Sequence, residues 1–85
     1  MNKLPSHLKR PRYKIPASIR EALMQHKLME VYRARPPYQR NDYIGWITRA
    51  KQQTTQDKRL AQMLEELERG DRYMKMAYRP KPRAE

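Results

Sequence analysis

Histidine is the side chain best suited to proton transfer near neutral pH, and this sequence has two, His7 and His26. Neither has the company that catalysis requires. His7 stands among cations in a stretch without periodicity, and His26 falls between two short helical patterns, where it would cap the second. Glu30 follows His26 by four residues, a helical spacing for two metal ligands. Protein metal sites of this kind use three or four ligands, and no third is in register. Glu65, Glu66 and Glu68 cluster, but only Glu65 and Glu68 share a helical side, and with Arg69 they read as a solvated face. Ser6 and Ser18 lack a positioned base. With no cysteine there is neither a thiolate site nor a disulfide, and Gly45 and Gly70, the two glycines, are too far apart to cradle a phosphate. The sequence predicts a protein that is not an enzyme, with no cofactor and no metal.

Charge points instead to binding. The formal net charge is +11. Residues 1–15 hold Lys3, Lys9, Arg10, Arg12 and Lys14 with no acid, and residues 71–85 hold five cations against Asp71 and Glu85. The two ends thus carry most of the excess, a distribution that favours anionic partners. Lys9, Arg10 and Arg12 are candidate anion- or partner-binding residues in the first segment, with Tyr13 placed to stack on a base. Lys51 and Arg59 are further candidates near a helix junction, where the competing role is to pair with carbonyls and carboxylates as the helices join. A protein partner is the expectation. A small basic nucleic-acid-binding protein, using its tails on phosphates, is the alternative. The stretch Tyr73–Tyr78 beside Arg79, Lys81 and Arg83 has the amphipathic character of a lipid-surface segment, but so short a piece buries little. No run approaches the roughly 18 apolar residues of a membrane span, and Met1–Pro16 has no apolar stretch of the signal-peptide kind. The expected location is cytoplasmic.

The elements that must position these residues are helical. At 85 residues, 38% of them apolar and none of them Phe, the chain has material for one thin core. Residues 1–14 read as a basic flexible arm and 71–85 as a basic, proline-containing tail, with 71–79 open among helix, short extended segment and a tail packed over the bundle. Between them, Pro16 opens a helix over about 16–25, and a second covers about 27–34 with Leu28, Val31 and Tyr32 on one side. Pro36-Pro37 ends the second and starts a third over about 37–51, on which Tyr43, Ile44, Trp46, Ile47 and Ala50 share one arc. A fourth runs over about 55–69, with Thr54 as its cap, Asp57 in a capping-box position, and Gly70 as its left-handed stop. On it Leu60, Met63, Leu64 and Leu67 form the apolar stripe, and Glu65 and Arg69 are spaced for a surface pair. The fold class is all-α, a small bundle of three or four helices. Its predicted core is Leu23, Tyr32, Tyr43, Trp46, Ile47, Leu60, Leu64 and Leu67.

The run Tyr43-Ile44-Gly45-Trp46-Ile47-Thr48-Arg49-Ala50-Lys51, followed by Thr55, Arg59-Leu60, Leu67 and Gly70, resembles the helical domain of the YdeI/OmpD-associated family, the bacteriocin-protection proteins. Ile15-Pro16, Leu23, Tyr32, Tyr38 and Arg40 fit the same pattern in order, so the resemblance covers about residues 15–70. It implies a compact helical domain with a role in stress protection, linked by the family's name to bacteriocin tolerance and an outer-membrane porin. It brings no catalytic residues. This chain has Thr54-Thr55-Gln56 where the family has Glu-Thr-Arg, so no role of that Glu and Arg carries over.

Overall fold

The structure is a computed structural model describing residues 14–79. In order it contains α1 (Ala17–Gln25), α2 (Met29–Ala34), α3 (Pro37–Arg49) and α4 (Gln53–Arg69), then a short ribbon of β1 (Arg72–Tyr73) and β2 (Met76–Ala77). The fold is all-α apart from this ribbon. Lys9, Arg10, Arg12 and residues 80–85 lie outside the described residues.

Each helix boundary has a local cause. The α1 chain turns at Lys27, whose φ of 59 is left-handed. The Leu28 N–H then reaches back to the Leu23 carbonyl at 2.8 Å, and the Lys27 N–H to Met24 at 3.1 Å. This is a Schellman stop, with Leu28 and Leu23 both joining the core beside it. It delays α2 to Met29 and makes His26 the end of α1 rather than a cap for α2. Pro37 occupies the first turn of α3, where a missing N–H costs nothing. That helix ends at Arg49, two residues short of the expectation, because Ala50 turns extended with φ −65 and ψ 134.

The α4 helix begins at Gln53, with Gln52 as the extended flanking residue and no side-chain cap. Thr54 is therefore inside the helix and not its cap. Asp57 instead accepts a 2.8 Å hydrogen bond from the Gln53 side chain one turn earlier. Gly70 closes α4 at φ 82, a conformation that penalises any Cβ. The Glu65–Arg69 pair does not form: Arg69 turns onward to Asp71, with its Nε 3.3 Å from the carboxylate.

The α4 helix is the hub. Both α3 and β1 pack on it, α2 touches it, and α1 pairs with α2. The core comprises Ile19, Leu23, Leu28, Tyr32, Tyr43, Ile44, Ile47, Met63 and Leu67. Trp46, Leu60 and Leu64 flank it, partly buried. Val31 faces outward, because α2 is a single short rod that buries only Tyr32. The two strands pair antiparallel, Arg72 with Ala77 and Tyr73 with Met76, and Tyr73 and Met74 lean on the core.

Candidate functional site: a polar network and the basic cleft above it

Among the described residues, three polar side chains sit inside this small core: Arg35 at 4% exposure, Gln39 at 1% and Glu66 at 5%. A buried charge costs several kcal/mol unless it is well paired, so their partners decide what they are for. Glu66 lies on α4 between Met63 and Leu67, on the side that faces α3 and the ribbon. One carboxylate oxygen accepts from the Tyr43 hydroxyl and, at 2.9 Å, from the Met74 N–H. The other accepts from the Lys75 N–H at 2.7 Å and the Gln62 amide at 3.1 Å. All four donors converge on one carboxylate. Glu66, off the side that Glu65 and Glu68 share, is thus a buried carboxylate to which the tyrosine and the turn bring the donors it needs.

Met74 and Lys75 both have left-handed backbones, with φ of 50 and 66. Two successive left-handed residues make the tight hairpin turn that glycine and asparagine usually supply, at a cost of about 1–2 kcal/mol for each ordinary residue. That conformation turns successive N–H groups the same way, into an anion-binding nest. Here the anion is Glu66. The carboxylate offsets the strain, and the turn satisfies the carboxylate.

Arg35 solves its burial differently. Its guanidinium donates to the Gln39 side-chain oxygen at 3.0 Å and to the Glu66 backbone carbonyl at 3.1 Å, and it lies 4.5 Å from the centre of the Tyr78 ring. Gln39 passes its own amide hydrogen to the Tyr38 hydroxyl at 3.1 Å. Tyr73 packs edge-on against both Tyr38 and Tyr43 and donates to Asp42 at 2.7 Å. The network joins α2, α3, α4 and the ribbon. Burial, reinforced by the hydrogen bond to Glu66 and its charge, pushes the Tyr43 phenol well above its ordinary 10.0. Burial also raises Tyr32, against the opposing field of Arg40.

Outside this network lies an open cleft of about 460 Å³. Its walls include Lys58, Gln62, Glu65 and Arg69 from α4, with Arg72 and Lys75 from the ribbon. The α4 residues recur at helical spacing on one stripe, and the Glu66-held turn carries Lys75 across to complete the rim. Among the described residues, Lys58, Arg72 and Lys75 have no carboxylate partner, while Arg69 shares Asp71.

The other sequence candidates fall elsewhere. Arg59 donates to the Trp46 carbonyl at 2.6 Å and lies 5.2 Å from the centre of its indole, so it joins α4 to α3. Lys51 is exposed in the connection between those helices and does not line the cleft. The cleft and the network were invisible as a unit, because their members are scattered from residue 35 to 78. Only the helical spacing of Lys58, Glu65 and Arg69 could have signalled part of them. Among the described residues no grouping of three or more His, Asp or Glu could hold a metal, and no helix is long and apolar enough to cross a membrane.

A family model described as bacteriocin-protection, YdeI or OmpD-associated matches residues 12–70. No curated protein and no solved structure matches the chain. The matched span takes in α1 to α4 and stops before the ribbon.

Proposed function

The chain belongs to the YdeI/OmpD-associated, bacteriocin-protection family, and from that membership we propose that it is a small non-catalytic protein that supports bacteriocin tolerance by binding a protein partner. The observation that carries the binding mechanism is the division of labour around Glu66. Its carboxylate is saturated by Tyr43, Gln62 and the turn, and so serves the fold. The charges left over sit on the cleft outside, on Lys58, Arg72 and Lys75, where they serve recognition. General acid–base catalysis needs a side chain within hydrogen-bond reach of the substrate; the Glu66 oxygens are already taken up by four donors of the chain itself. A chain without cysteine suits a reducing compartment, and in this reading the protein acts in the cytoplasm.

The test is genetic. Deleting the gene should alter survival across a panel of bacteriocins, and re-expression of the full chain should restore it. Unchanged survival with every bacteriocin sinks the protective role.

A further inference from the structure

We infer that the cleft between α4 and the ribbon is a docking site for an extended, acidic protein segment; this rests on the binding role proposed above and names the partner's chemistry. Four cations surround the cleft, and among the described residues three of them lack a carboxylate. A site with unneutralised cations on both walls takes a ligand that brings carboxylates. The overall charge of +11 attracts such a ligand to the protein.

Glu65 decides between classes of anion. It stands on the α4 wall between Lys58 and Arg69 and is exposed. A nucleic-acid backbone repeats its negative charge at every nucleotide and meets Glu65 as a repulsion in the middle of its path. A peptide alternates carboxylates with N–H donors, so Glu65 and the Gln62 side-chain oxygen can accept from it while the lysines and arginines hold its acids. The cleft's volume of about 460 Å³ accommodates a few side chains of such a segment. Glu66 acts as a positioning residue: its grip on the Met74 and Lys75 amides fixes the turn that brings Lys75 opposite α4. Arg72 and Lys75 lie beyond the span matched by the family model, so half of the cationic rim is a feature of this chain outside that span.

The experiment measures binding of the full chain to a labelled peptide of interspersed Asp, Glu, Ser and Gly, and to a single-stranded oligonucleotide of equal formal charge, by fluorescence anisotropy at matched salt. The peptide should bind more tightly than the oligonucleotide. K58E/K75E should weaken peptide binding by about tenfold, since each reversal removes an attraction and adds a repulsion. R20E/R33E, with the same charge change at exposed helical positions away from the cleft, should change it less than threefold. Circular dichroism of both variants verifies that each is folded. Equal losses in the two variants, no binding of the peptide by the parent chain, or preferential binding of the oligonucleotide would each overturn the assignment. Absent peptide binding together with an intact bacteriocin phenotype defeats the cleft alone. Peptide binding at the cleft together with an unaltered deletion strain defeats the protective role alone.

Discussion

The two ends of the core are built on opposite principles. Around α1 and α2, Ile19, Leu23, Leu28 and Tyr32 meet in an apolar cluster, and the only specialised backbone is the left-handed stop at Lys27. Where α4 meets the ribbon, the interior holds Glu66, Arg35 and Gln39, and directional bonds replace apolar area. The apolar end needs only correct side chains at helical spacing. The polar end needs every donor and acceptor in place together, because a buried carboxylate missing its partners is worse than none. One end is therefore graded in its tolerance of change, and the other is all-or-none.

The largest expected effect belongs to the apolar end. Leu23 is fully buried, so Leu23→Ala should cost about 3–5 kcal/mol through lost burial and the cavity left behind. Chemical denaturation should show a lower midpoint with the slope unchanged, and amide exchange should accelerate throughout the helices. A loss below about 1 kcal/mol would mean that this end is not a packed core.

Glu66→Ala should cost somewhat less, about 2–4 kcal/mol, because it deprives the Tyr43 hydroxyl and two turn amides of one shared acceptor. Its signature separates it from Leu23→Ala. Exchange at the Met74 and Lys75 amides should rise far more than exchange in α1. Uniform acceleration would erase the distinction between the two ends.

Tyr43→Phe should have the smallest effect near neutral pH, about 1.5–2 kcal/mol for one hydrogen bond to a charged acceptor. It also tests the pH dependence. The folded state holds the Tyr43 proton more tightly than the unfolded chain does, so its contribution is fully present below pH 10.0 and is lost as pH rises above that. The parent chain should lose melting temperature above pH 10 more steeply than Tyr43→Phe. Parallel curves in the alkaline range would show that Tyr43 carries no such linkage.

The same contrast explains what could be read from the chain beforehand. Leu23, Tyr32, Tyr43, Ile47 and Leu67 announce themselves by spacing, and each is buried. The α3 start at Pro37 and the α4 stop at Gly70 follow from the backbone restrictions of proline and glycine. Lys27, Met74 and Lys75 adopt left-handed conformations with no glycine or asparagine to signal them. Glu66 falls off the side that Glu65 and Glu68 share, but nothing in the spacing names the distant donors that would let a carboxylate be buried there. Gln39 and Arg35 were hidden for the same reason.

By itself the sequence determined the helices, their approximate limits, the apolar stripe that joins them and the family to which they belong. Those follow from local sterics and from periodicity, which operate over one or two turns. Only the tertiary structure decided that Glu66 is a keystone, that residues 72–77 form a ribbon seated on it, and that Lys58 and Lys75 face a common cleft. A polar group's role depends on which donors reach it. Those donors came from residues 43, 62, 74 and 75, an arrangement that exists only after the chain has folded back on itself.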